Sequence, residues 1–169
     1  MALDWSAWNP AEKAVLLFLF RDKDVLLIHK KRGLGKGKIN APGGRLEPGE
    51  TYEQAAIRET LEETGMRVWG LKEVTELLFA FQDGFNLYGR VFFAFQFQGV
   101  PYETDEAIPF WCPISEIPWD KMWEDDQHWL PRALEGHFVS GKFFFQDDKM
   151  LDYHITLRPE GKIEHFFKG

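Results

Sequence analysis

Seven apolar residues in an unbroken run, AVLLFLF at residues 14–20, open the readable pattern, and a run that short and uniform fits a strand buried on both faces better than a helix. Residues 21–24 make a polar turn, and residues 25–29 (VLLIH) continue apolar, pairing with the first run as a hairpin or near neighbour. Residues 30–49 then hold six glycines and two prolines, which predicts a loop without regular elements. Thr51 with Gln54 three residues on has the form of a capping box. No Gly or Pro interrupts the stretch to Thr64, and Gly65 ends it, so a helix is expected there with Ala55, Ala56 and Thr60 as a small-residue packing face.

Strand-like runs follow at residues 76–81 and 89–98, separated by the turn-rich QDGFN. Leu87, Val91, Phe93 and Phe95 share one phase of the alternation while Phe92 takes the other, which suggests a strand covered on both sides. A short strand at 108–112, helical pieces at 114–117, around Met122 and at 129–134, and late strands at 143–145 and 151–157 complete the pattern. With no repeat, low-complexity tract or linker, the chain reads as one α+β domain over residues 1–169, residues 1–13 forming an amino-terminal extension.

Length agrees, since 169 residues bury roughly 70% of the unfolded surface. Sixteen Phe and seven Trp exceed what such a core requires, so some rings are expected to line a pocket. The formal net charge of -7 argues against a stable nucleic-acid complex or adhesion to an anionic membrane, and an anionic substrate would need metal ions or local cations. The amino terminus does not read as a secretory signal and no apolar run approaches the ~20 residues of a membrane span. The lone Cys112, expected in the core, suits a reducing cytoplasm. A cytoplasmic protein is the resulting expectation.

Within the expected helix, Glu59, Glu62 and Glu63 are spaced to lie on one face, where like charges repel and Arg58 is the sole cation of the helix's second half. Divalent cations such as Mg²⁺ would resolve the repulsion. Standing alone, the triplet would read as an acidic surface stripe. It is embedded, however, in a longer pattern: Gly44, five residues, Glu50, seven residues, Arg58-Glu59, then Glu62-Glu63, Gly65 and the apolar Met66.

This is the G-x5-E-x7-R-E-U-x-E-E-x-G-U box, and on it the chain resembles the Nudix hydrolases. Thr60 departs from the pattern, standing where a bulky aliphatic residue is expected. The resemblance implies a Nudix fold, an α/β/α sandwich whose mixed β-sheet lies between helices and carries a loop-helix-loop catalytic box. It implies Mg²⁺, with Mn²⁺ as a substitute, held by Glu59, Glu62, Glu63 and the Gly43 carbonyl, and Glu50 paired with Arg58. Glu63 or Glu62 is the candidate to accept the proton of the attacking water.

Segments beside the box, KKRGLGKGKINAPGG, MWEDDQHWLP and FFFQDDKMLDY, resemble the family branch that destroys oxidised purine nucleoside triphosphates. That implies hydrolysis of a compound such as 8-oxo-dGTP to the monophosphate and pyrophosphate by a monomer. It implies Asn40 at the base, Asp125 and Asp126 reading its edge, Trp123 stacked on it, Phe79 and Phe145 as walls with Trp129 nearby, Lys30 and the Gly43-Gly44 backbone toward the phosphates or sugar, and Glu106 as a further metal ligand. Each has a plainer alternative: a loop-capping Asn, an exposed Asp-Asp turn, core aromatics, surface charges. Val15, Leu34, Ala41-Pro42 and Ala107 depart from the branch and bear on base preference. Other Nudix substrates (an RNA 5′ end, a nucleotide sugar, a methylated purine nucleotide) and a silent nucleotide-binding module remain alternatives.

Overall fold

The computed structural model describes residues 3–162; residues 1–2 and 163–169 of the expected domain lie outside it. The first apolar run becomes β1 (Glu12–Arg21) and the second β2 (Asp24–Lys30). They pair only at their base, Phe20 opposite Val25 and Arg21 opposite Asp24. Beyond it β1 takes other partners, running parallel to β7 (Asn86–Ala94) and antiparallel to β4 (Gly43–Arg45), while β2 pairs with β3 (Ile39–Asn40) and β9 (Ala107–Pro113). The two strands therefore splay, and residues of both line one cavity.

The sheet continues from β7 to β6 (Lys72–Phe81), to β10 (His137–Gln146) and to β11 (Lys149–Lys162) at the edge. β10 runs parallel to β6 and antiparallel to β11, so the sheet is mixed as expected. Helix α1 (Tyr52–Thr64) lays Ala55 and Ala56 on Val15, Leu17, Leu19 and Leu26, and α2 (Asp126–Leu134) lays Trp129, Leu130 and Ala133 into the opposite cluster with Phe18, Phe20 and Phe93. The alternating side chains of β1 thus serve both layers, which makes the α/β/α sandwich.

Three expectations are corrected. The glycine-rich loop contains two short strands, because Gly43 and Gly44 let the chain press against β1 and α1: a Cβ on Gly43 would lie 2.0 Å from the Val15 carbonyl oxygen, and one on Gly44 would lie 2.6 Å from the Glu59 carboxyl carbon. The run at 89–98 breaks after Ala94, and Gln96–Gln98 (β8) pairs instead with β5 (Arg67–Trp69), a strand whose three residues carry too little pattern to read. Helix α2 begins at Asp126, three residues before the expected piece at 129–134, which puts Asp126 in its first turn and Asp125 at its N-cap.

The capping box is formed: the Thr51 side chain accepts from the Gln54 N–H at 3.1 Å and the Gln54 side chain from the Thr51 N–H at 3.0 Å. Gly65 closes the helix with φ of 79°, donating to Leu61 O. Thr60 points inward, its hydroxyl donating to Ala56 O, so its polar atom is satisfied. Replacing Thr51 with Ala should lower the unfolding free energy by about 1 kcal/mol, and Thr51→Ser should restore it, as read by urea denaturation with an unchanged slope.

Candidate active site

Glu59 and Glu63, one helical turn apart, face the Gly43–Gly44 strand, and the 103–107 loop brings Glu106 to meet them. Oxygens of these three carboxylates all lie within 4.8 Å of one another. Glu63 is buried and accepts a hydrogen bond from the Gly43 N–H at 2.9 Å. Burial, opposed by that N–H and reinforced by the charges of Glu59 and Glu106, pushes its pKa up to about 8, with Lys30 pulling the other way. Burial also raises Glu59, against the pull of Arg58. Three hard oxygen donors, two of them desolvated, suit a divalent cation.

Arg58 fixes the geometry. Its Nε and Nη2 donate to both oxygens of Glu50 at 2.7 and 2.9 Å, Nη1 reaches Glu59 at 2.8 Å and Glu62 at 3.2 Å, and Nη2 also donates to the Arg45 carbonyl. The two-pronged contact holds the Glu50 carboxyl down at about 2 and raises the guanidinium. Loop and helix are thereby clamped together, as the box implied. Glu62 differs from the expectation: it is exposed, turned to Arg58, and outside the group of converging oxygens.

Sequence reasoning missed Thr104. Its hydroxyl donates to Glu63 O at 2.9 Å and accepts from the N–H groups of Glu106 and Ala107, tying the Glu106 loop to the carboxyl end of α1. Arg32 donates to Glu106 at 3.2 Å. Nothing in local spacing marks the Thr104–Glu63 and Arg32–Glu106 contacts, which cross forty residues or more.

The cavity, about 690 Å³, runs from Glu59, Glu63 and Glu106 past Lys30, Gly43 and Gly44 to Asn40, Phe79, Trp123, Asp125 and Asp126. Both aspartates are buried, so the exposed-turn alternative is excluded. Asp125 accepts from the Trp129 indole N–H at 2.9 Å, and burial pushes it up to about 6. Among the described residues Asp126 Oδ2 has no hydrogen-bond partner, and burial plus the Asp125 charge raises that carboxyl well above its ordinary value.

Asn40 lines the cavity while its Oδ1 caps the Ala41 N–H. Trp123 is half-buried, and the Lys38 ammonium stands 5.2 Å from its ring centre. Phe145 is not a wall: it is fully buried behind Trp123 and Phe79, at ring-centre separations of 5.5 and 6.1 Å. Trp129 likewise lies beneath the surface, edge-on to Phe18. Phe81, Phe85 and Leu87 line the cavity and were not anticipated as site residues. Of the departures, Val15 and Ala41 are cavity-lining and buried, Ala107 is buried, and Leu34 is exposed at the rim. Among the described residues no helix is long and apolar enough to cross a membrane.

Among solved structures, a MutT protein of Bacillus halodurans superposes with a TM-score of 0.77 at 23% identity, covering 85% of this chain and 97% of its own, so the fold is shared. In sequence, the oxidized purine nucleoside triphosphate hydrolase of Danio rerio is 40% identical over 140 residues, 82% of this chain and 90% of the relative. That of Mus musculus is 38% identical over 142 residues, 83% and 91% respectively. The NUDIX domain matches residues 10–133, which takes in the converging carboxylates, the Arg58 clamp and the buried aspartates, and the chain belongs to the Nudix hydrolase family.

Proposed function

We propose that this enzyme hydrolyses oxidised purine nucleoside triphosphates, 8-oxo-dGTP among them, to the monophosphate and pyrophosphate. The observation that carries the reading is the pair of buried aspartates at one end of the cavity whose other end holds the converging carboxylates. Relatives of 38–40% identity that bear the name of such hydrolases support it.

Glu59, Glu63 and Glu106, with the Gly43 backbone beside them, would hold Mg²⁺, or Mn²⁺ in its place. Such ions neutralise the phosphate oxygens and lower the pKa of water. The remaining work falls to the chain. Glu63, its pKa lifted toward neutrality, accepts the proton of the attacking water as the water oxygen bonds to phosphorus and the anhydride P–O bond breaks toward pyrophosphate. The exposed Glu62 is the weaker candidate for that proton. Arg58 and Glu50 hold the carboxylates in place, and Lys30 attracts the anionic chain of phosphates.

At the far end Trp123 stacks on the base and Phe79 packs beside it, while Phe145 holds Trp123 from behind. With its proton retained, Asp126 donates a hydrogen bond and Asp125 accepts one, a pattern that distinguishes an oxidised purine from its parent. Asn40 supplies a further polar contact. We further propose that residues 1–169 form a single domain acting as a monomer in the cytoplasm, a reading the buried unpaired Cys112 suits.

A panel of nucleoside triphosphates, nucleotide sugars and 5′-triphosphorylated RNA, assayed for pyrophosphate and phosphate, tests the substrate. Faster turnover of 8-oxo-dGTP than of dGTP is expected, and equal rates would remove the sanitising role. Glu63→Gln should cut turnover by about 10² to 10⁴ while the protein stays folded. The aspartate pair also predicts a pH effect on stability. Its folded carboxyls titrate above their ordinary value, so the native state binds more protons than the unfolded chain and stability falls as pH rises from about 4 through about 6. Thermal unfolding of Asp125→Asn should show a shallower fall over that window than the parent protein.

A further inference from the structure

Strand register singles out one row of the cavity floor. Arg45 on β4 stands opposite Ala14 on β1, Ala14 opposite Gly89 on β7, Gly89 opposite Leu77 on β6, and Leu77 opposite Gly141 on β10. Directly opposed residues share a face of the sheet, and the period of two puts Leu16, Leu87 and Val91 on that face as well. Arg45, Ala14, Gly89 and Leu77 all line the cavity.

The two glycines of the row differ in what covers them. At Gly141 a Cβ would come within 2.5 Å of the Phe143 ring, so protein atoms already fill that place. At Gly89 the nearest atoms to a Cβ are Leu77 Cβ and O at 3.9 Å and Ala14 O at 4.0 Å, all ordinary contacts with the floor itself. With strands about 4.8 Å apart, Ala14 and Gly89 leave a trough roughly two strand spacings wide. Leu16 and Val91 wall it on one side, Leu87 and Phe79 on the other. The charged residue at its end, Arg45, is ion-paired with Glu12.

The trough opens into the space lined by Asp126, whose buried oxygen, without a hydrogen-bond partner among the described residues, marks that space as shaped for a polar ligand. Phe79 borders both the trough and the base end, so the two are continuous. None of the residues assigned to the phosphates, the water or the base edge occupies it.

We infer that the Ala14–Gly89 trough is a second compartment of the nucleotide site, and that the enzyme hydrolyses purine nucleoside triphosphates whose base carries an apolar group larger than a methyl. This rests on the purine triphosphate reading above and extends it to a second substrate class. The aliphatic walls favour a hydrocarbon substituent through burial of its surface. The bonds made and broken are those of the same hydrolysis.

The test compares kcat/KM for 8-oxo-dGTP, dATP, N6-benzyl-dATP and O6-benzyl-dGTP in the parent enzyme, Gly89→Val and Ala14→Leu. The parent is expected to hydrolyse at least one benzyl nucleotide within about tenfold of 8-oxo-dGTP, and each variant to lose that benzyl activity by about tenfold or more relative to 8-oxo-dGTP. Gly89 lies in a strand with ordinary clearance, so a β-branched side chain fits the backbone there, and Ala14→Leu fills the same space from the neighbouring strand. Rejection of both benzyl nucleotides by a parent enzyme that hydrolyses 8-oxo-dGTP overturns the compartment and leaves the purine reading intact. Equal losses on all substrates in both variants also overturn it. Failure to hydrolyse any purine triphosphate removes the purine reading and the compartment with it.

Discussion

Carboxylates that crowd together out of water repel one another, and the architecture around Glu59, Glu63 and Glu106 holds them in that state. Burial raises two of the three, Glu63 up to about 8, so that carboxyl holds a proton near neutrality instead of a charge. A helix turn, a strand of two glycines and a loop pinned by Thr104 supply the constraint, and Arg58 supplies the counter-charge that makes it tolerable. Relaxing any of them would let the oxygens part. A cation is then the natural partner, because it exchanges repulsion and retained protons for coordination.

The fold positions this site through a split. If β1 and β2 had paired along their length, the sheet would be closed where the cavity now lies. Their divergence after Phe20 and Val25 gives β1 to β7 and β4 and gives β2 to β9 and β3, and the cavity lies between. The same strand β1 packs α1 on one side and the aromatic core under α2 on the other. The converging carboxylates and the aspartate end of the cavity are therefore held by one rigid element.

What could be read beforehand follows from the range of each interaction. The box was legible because its contacts lie within twenty-three residues and helix geometry converts spacing into a face. That geometry was still too coarse to separate Glu62, which turns to Arg58 and solvent, from Glu59 and Glu63, which turn to the glycine strand. The aspartate end of the cavity was legible only through resemblance, and resemblance placed Phe145 on the wall when the structure puts it one layer behind. Thr104, the short strands β3, β4, β5 and β8, and the Ala14–Gly89 row were not legible, since each depends on cross-strand register or contacts over long separations. The polar residues Ser140 and Lys142 and the bare Gly141 hid most of β10, whose inward face shows only once β6 is beside it.

Proton release on cation binding tests the state of the carboxylates most directly. Mn²⁺ titrated into the lightly buffered protein at neutral pH, with an indicator dye recording acid release, should displace roughly one proton per ion bound, and Glu63→Gln should weaken binding and abolish the release. Binding of the ion with no proton displaced, and with the same affinity in Glu63→Gln, would contradict a buried, proton-holding carboxylate cluster as the centre of this site.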